Sequence, residues 1–243
     1  MNDPRALVVE KRLEKVRRVV AVCSAKGGVG KTMCAVVSSL VLAADGKRVG
    51  LLDLDLQGAS AHIVLGVHPT LPPEDKGILP LDAGHGVALM SVAAFTGDRP
   101  LPLRGQEVTD ALLELFAITQ WGERDLLFID MPPGIGDEVL DLIRLVPRAE
   151  VLVASTGSAI SVAVVDRLLA MLSETVPVLG VLANAISGDS DSVRRMAGSH
   201  GMRFLGTLPF DKDLESCIGS PPLLLGSRFA EALRRVLVDC GLA

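Results

Sequence analysis

No apolar run in the 243 residues approaches the roughly 18 that a membrane span needs. The longest candidate, 159–172, is broken by Asp166 and Arg167, which excludes a transmembrane helix at the level of sequence. The amino terminus lacks the basic-then-apolar order of a secretory signal, so a cytoplasmic protein is expected. Cysteine is scarce: Cys23, Cys34, Cys217 and Cys240 lie far apart and form no C-x-x-C pair. That fits a compartment that keeps thiols reduced better than a disulfide framework. The four histidines, His62, His68, His85 and His200, lack the i, i+4 spacing of a helical metal site, so no mononuclear metal centre is signalled. Positive charge is short as well, with 24 Lys and Arg against 29 Asp and Glu for a net −5, which weighs against wholesale nucleic-acid binding. Aromatics make up 3% of the chain, but hydrophobic residues make up 49%, and disorder is excluded. A chain of this length buries roughly three quarters of its unfolded surface, and one compact domain over residues 1–243 is expected.

Short β-branched apolar runs recur at 18–23, 48–54, 87–92, 125–130, 150–155, 176–184 and 203–208. They read as strands buried on both faces. Segments of helical length fill the gaps at 31–44, 106–120, 160–174, 190–200 and 227–239. This alternation predicts an α/β fold with a mostly parallel central sheet and helices on both faces. The first twenty residues carry six Lys and Arg against three Asp and Glu, and 4–17 reads as a solvated helical extension. The stretch 66–86, rich in Pro, Gly and Asp, is long for a connection, and its length suggests a loop placed near a partner or ligand.

The first strand runs directly into Ser24-Ala25-Lys26-Gly27-Gly28-Val29-Gly30-Lys31-Thr32, followed by Met33 and a helix. Glycines let successive backbone N–H groups curl toward phosphate oxygens, and the helix dipole adds positive potential. Lys31 then reaches the β- and γ-phosphates, and the Thr32 hydroxyl ligates Mg²⁺. Gly27 to Met33 form the expected phosphate cradle for ATP or ADP. Twenty-one residues after Thr32, Asp53-Leu54-Asp55 ends a strand, which places two carboxylates at the carboxyl end of the neighbouring strand, where open α/β sheets bind ligands. A strand-end turn capped by Asp is the alternative use of the same pair. The run Leu126-Leu127-Phe128-Ile129-Asp130 reads as a Walker B strand whose Asp130 holds Mg²⁺ through water. Pro132-Pro133-Gly134-Ile135-Gly136 follows, stiff and mobile in turn, as suits a segment that reports the γ-phosphate. Asp137 and Glu138 fit that string and equally fit the first turn of a helix, where the dipole favours acids.

With Ala25 in place of the usual first glycine and a second lysine, Lys26, inside the loop, the sequence resembles the deviant-Walker ATPases, the group of MinD, ParA, the nitrogenase iron protein and the Mrp family. The resemblance implies a homodimer with ATP sandwiched at its interface. Within it, Lys26 reaches the partner's phosphates, Asp55 orients the attacking water and Asp53 supports the Mg²⁺ shell. A cation supplied in trans neutralises charge developing in the transition state. The string from Asp130 to Glu138 is similar to the Mrp, or ApbC, iron–sulfur carriers, and the likeness extends from about residue 3 to residue 237. It implies that Asn184 contacts adenine and that Pro209-Phe210-Asp211 closes over the base. It also implies a C-x-x-C soon after Asn184, from which two subunits together hold a [4Fe–4S] cluster. Residues 184–201 contain no cysteine, which leaves Cys217 as a single candidate thiolate per subunit beside its reading as an ordinary core or surface cysteine.

Three functions share these motifs. The first is an Mrp-type ATPase, slow without a partner, serving an iron–sulfur or metal client. The second is a MinD- or ParA-like positioning switch, and the third a metal-insertion relative of MinD, whose paired cysteines are also missing. In MinD-type proteins the last helix is basic and meets a membrane. Here Phe229, Leu233, Val236 and Leu237 share one face while Glu231 and Asp239 offset the arginines, which suits packing on the sheet better than lipid.

Overall fold

The computed structural model describes residues 4–70, 73–96, 99, 103–134, 137–172, 175–186 and 190–243. Its strands are β1 (Val16–Cys23), β2 (Val49–Asp53), β3 (Leu81–Asp82), β4 (Val87–Ser91), β5 (Arg124–Asp130), β6 (Glu150–Ser155), β7 (Val178–Ile186) and β8 (Phe204–Pro209). Its helices are α1 (Pro4–Leu13), α2 (Lys31–Ala44), α3 (Ala61–Leu65), α4 (Ala93–Thr96), α5 (Gln106–Ile118), α6 (Asp137–Leu145), α7 (Ala159–Leu172), α8 (Asp191–Ser199), α9 (Pro221–Leu225) and α10 (Arg228–Asp239). The strands join one sheet in the order β3-β4-β2-β5-β1-β6-β7-β8. Every described pairing is parallel except that of β3 with β4.

The core lies on both faces of this sheet, and β1 shows why. Val19, Ala21 and Cys23 point to one side, where they meet Leu112, Phe116, Leu142 and Leu168. Val20 and Val22 point to the other, among Val36, Leu40, Phe229 and Leu233. A period of two with apolar residues on both phases yields an uninterrupted hydrophobic run, which only a strand covered on two sides can bury. Helix α10 is capped by Ser227, whose Oγ accepts from Ala230 N at 3.1 Å, and its apolar face of Phe229, Leu233, Val236 and Leu237 is buried. Among the described residues no helix is long and apolar enough to cross a membrane.

Several boundaries differ from expectation. The amino-terminal helix stops at Leu13, because Val16 already pairs with Arg124. Strand β7 runs two residues later than the pattern suggests. Residues 173–174 at the expected end of α7 lie outside the described set. The stretch 66–86 is partly built into the fold: Leu81–Asp82 forms β3, and Ile78 bridges Thr119. Helices α3, α4 and α9 span only four or five residues, too few for periodicity to betray them.

One correction affects the site directly. The strand carrying Asp53 is not the spatial neighbour of β1; β5 lies between them, so Asp130 stands opposite both Val22 and Asp53. The structure also places Trp121 fully buried over Gly50 of β2, where a Cβ would come within 2.8 Å of the indole ring. Gly50→Ala is expected to lower stability by about 1–3 kcal/mol through overpacking, measured as a drop in Tm of several degrees.

Candidate nucleotide site

The phosphate loop leaves the carboxyl end of β1 and enters α2 through Gly30, at φ 81°. A Cβ at Gly30 would run into the Asn184 amide, so glycine is required there twice, by backbone conformation and by space. No side chain caps α2. Its first i→i−4 bond is Cys34 N to Gly30 O, 2.9 Å, so the N–H groups of Lys31, Thr32 and Met33 precede the helical ladder at the positive end of the dipole. Gly27 and Gly28 are exposed, and Val29 is buried. This is a ready-made anion cradle.

Lys31 is buried and pairs with Asp130 Oδ1, while Thr32 Oγ1 donates to Asp130 Oδ2 at 2.6 Å. Burial raises the Asp130 carboxyl above the usual carboxylate range even though Lys31 pulls the other way. Asp53, fully buried, is pushed up to about 7 by desolvation first and by the neighbouring Asp130 charge second. Its two oxygens accept three backbone N–H groups, from Asp55 at 3.1 Å and from Ser60 and Ala61 at 3.0 Å each. Asp53 thereby holds the whole turn 55–61 in place. Asp55 is half-buried, and its Oδ1 accepts from Gly58 N at 2.9 Å.

The two carboxylate-bearing segments face each other. A cleft of about 360 Å³ lies between Asp55, Gln57 and Gly58 on one side and Pro132 and Pro133 on the other. Gly134 N donates to Ser24 O at 3.0 Å, which fastens the Pro-Pro-Gly turn to the start of the phosphate loop. Ile135, Gly136 and the side chains of Asp137 and Glu138 lie outside the described residues. Lys26 is exposed and makes no ion pair among the described residues.

On the far side of the loop, Asn184 is buried and donates from Nδ2 to Val29 O at 2.6 Å. Pro209, at the end of β8, pairs with Ile186 two residues beyond Asn184. Asp211 Oδ1 accepts from Asp213 N at 3.1 Å, and Phe210 between them is 63% exposed. Residues 187–189, where the expected C-x-x-C would begin, lie outside the described set. Residue chemistry alone pointed to the phosphate loop and its acids. It missed the Asn184 bond to Val29 and the Gly134 bond to Ser24, which carry no local signal because they join residues more than a hundred apart.

A strand, a glycine turn closed by Lys31 and Thr32, and an acid on the adjacent strand define a P-loop NTPase of the MinD and ParA architecture. The family described as NUBPL iron-transfer P-loop NTPase matches residues 15–232. The chain belongs to that family. It is 35% identical over 219 residues to an iron–sulfur cluster carrier protein of Pseudomonas fragi, covering 83% of this chain and 76% of the relative. It is 33% identical over 220 residues to the iron–sulfur cluster transfer protein NUBPL of Dictyostelium discoideum, covering 83% and 68%. Among solved structures, a nucleotide-binding protein of Archaeoglobus fulgidus in complex with ADP superposes with TM-score 0.78 at 25% identity, over 93% of this chain and 95% of that one. The cell division ATPase MinD of Pyrococcus furiosus shares the fold, with TM-score 0.64 at 18% identity over 92% and 98%.

The raised Asp53 fixes the sign of a pH effect. Between its unfolded value, about 4, and its folded value, about 7, the folded chain binds more protons than the unfolded one. The group's contribution to stability is therefore greatest below that window and is lost as pH rises through about 7. Thermal melts of the nucleotide-free protein should show Tm falling from about pH 5 to pH 8, with a shallower fall in Asp53→Asn.

Proposed function

We propose that the protein is a Mg²⁺-dependent ATP-binding and hydrolysing switch that dimerises around ATP and serves iron–sulfur cluster or metal delivery. The observation that carries this reading is the pair of lysines in one loop: Lys31 buried against Asp130, and Lys26 exposed without an ion pair. In this reading Lys31 holds its own protomer's phosphates and Lys26 reaches across to a second protomer.

The donor set suits a hard divalent cation, since the Thr32 hydroxyl and the Asp130 carboxylate converge at 2.6 Å and present oxygen only. When bound there, Mg²⁺ supplies charge neutralisation of the β- and γ-phosphate oxygens. Lys31 exchanges Asp130 for phosphate as the nucleotide enters. Asp53 supports the metal shell and keeps the turn 55–61 in register, Asp55 orients the attacking water, and Asn184, Pro209 and Asp211 hold the base. Loss of the γ-phosphate relaxes Gln57-Gly58 and the segment 132–136 together, since Gln57, Gly58, Pro132 and Pro133 border the same cleft. Hydrolysis is slow until an activating partner completes the site. The apolar face of α10 is buried in the fold, so this helix does not offer it to lipid.

The family's usual cargo chemistry does not fit this chain as a resident four-thiolate cluster. Burial pushes Cys23 and Cys34 up to about 12 and Cys240 to about 11, far from thiolate at neutral pH. Cys217 alone is half-buried, so two protomers offer two accessible thiols where a [4Fe–4S] centre takes four. The remaining ligands must come from the client.

Three measurements test this reading. Lys31→Ala should abolish nucleotide binding, whereas Lys26→Ala should still bind ATP but lose at least tenfold in ATP-driven dimerisation by analytical ultracentrifugation. Wild-type dimerisation and turnover in the Lys26 variant count against the trans role. Anaerobic reconstitution with iron and sulfide should leave well under one cluster per dimer; a full cluster that Cys217→Ser removes would mean that the chain has its own altered ligand set.

A further inference from the structure

Asn184 belongs to a strand two places away from β1 and still reaches the phosphate loop. It lies on β7, which β6 separates from β1. Cys23 pairs with Val153, and Val153 with Val181. Asn184 therefore sits three residues beyond the level at which β1 ends, about 10 Å further at about 3.3 Å per residue. There its Nδ2 donates to Val29 O at 2.6 Å. A carbonyl oxygen only accepts, so the amide is held with its nitrogen toward the loop.

Three independent features keep the amide in that place. β7 takes three steps, from Ala183 to Ile186, where β8 takes two, from Thr207 to Pro209, a bulge of the kind that re-aims a side chain. Ala185, inside the bulge, stands at φ 52°, a conformation that an L residue keeps only where its surroundings enforce it. Its own side chain is exposed, so local packing gives no reason for the strain. On the loop side, Gly30 leaves the space that the amide fills, and a Cβ there would run into it. Val29 and Asn184 are both buried, so the bond forms away from competing water, where it is strongest.

The Val29 carbonyl and the Gly30 N–H belong to one peptide unit, which is planar and trans, so the two groups point to opposite sides. Fixing the carbonyl onto Asn184 turns the Gly30 N–H away from β7, and that N–H donates to no protein acceptor among the described residues. The reversed peptide would aim an oxygen where an anion needs a donor. We propose that Asn184 is a positioning residue of the phosphate loop: it holds the Val29 carbonyl so that the Gly30 N–H faces the phosphates, and phosphate binding depends on it with or without a base. This role rests on the nucleotide reading and adds to the base contact, for which Oδ1 and the second Nδ2 hydrogen remain.

The test titrates the full chain by calorimetry with Mg²⁺-ATP and with Mg²⁺-tripolyphosphate, which carries the phosphates and no base. Asn184→Ala is expected to weaken tripolyphosphate about tenfold, as loss of one buried hydrogen bond predicts, and ATP at least as much. Titrations run well below Tm, where general destabilisation leaves the affinity of the folded protein unchanged. Should Asn184→Ala not fold, Asn184→Leu, of similar shape and without a donor or a charge, gives the same comparison. Wild-type affinity for tripolyphosphate in a variant that loses ATP makes Asn184 a base contact alone and overturns the proposal. In the nucleotide-free protein, the amides of residues 27–33 should exchange about threefold or more faster in the variant than in the wild type, and unchanged exchange there also overturns it. Failure of the wild type to bind either ligand overturns the nucleotide reading and this role with it, whereas the variants alone decide what Asn184 does.

Discussion

The ion pair of Lys31 with Asp130 is the interaction on which the rest of the structure depends. Both charges are withdrawn from water, at 7% and 0% side-chain exposure, and taking two ions out of water costs more than a well-packed apolar pair would. The pair is tolerable because Thr32 adds a second hydrogen bond to the same carboxylate. It also joins the first turn of α2 to the end of β5, so loop, helix and sheet are held to one geometry at the point where phosphate must enter. A protein that only needed stability there would use hydrophobic residues. Retaining a buried cation and anion makes sense where one partner must be handed over to a ligand.

From that pair, constraints spread along the carboxyl edge of the sheet. Asp130 stands beside Asp53, and the mutual repulsion of two buried acids is offset by Lys31 on one and three backbone N–H groups on the other. Those three bonds make the turn 55–61 an extension of β2 rather than a free loop. Further along, Gly219 N donates to Val64 O at 3.0 Å, so helix α3 is joined to the segment that follows Phe210 and carries Cys217. The turn 55–61 and the segment after β8 are therefore connected through one short helix. A change at either end has a covalent and hydrogen-bonded route to the other.

The cysteines illustrate how burial decides chemistry that residue identity leaves open. Cys23 and Cys34 lie within a few residues of the phosphate loop, and in sequence they are as available as Cys217. The fold assigns Cys23 to one face of β1 and Cys34 to the buried side of α2, where desolvation holds both thiols protonated. Their scarcity and burial separate this chain's donor chemistry from that of a self-sufficient four-thiolate carrier, while its nucleotide machinery follows the family.

By itself, the sequence determined the class of fold and the nucleotide chemistry. Both are encoded locally: two-phase apolar runs for β1 and β5, and the contiguous string from Lys26 to Met33, whose function needs only its own backbone and the helix that follows. Asp130 was legible for the same reason, as the last residue of an apolar strand. Tertiary structure decided whatever joins distant segments. It inserted β5 between β1 and β2, set Asn184 under Gly30, and spent both oxygens of Asp53 on the turn ahead of α3. Strand order and long-range hydrogen bonds depend on which helices cover which face, a choice made by the packing of the whole chain, and no window of neighbouring residues contains it.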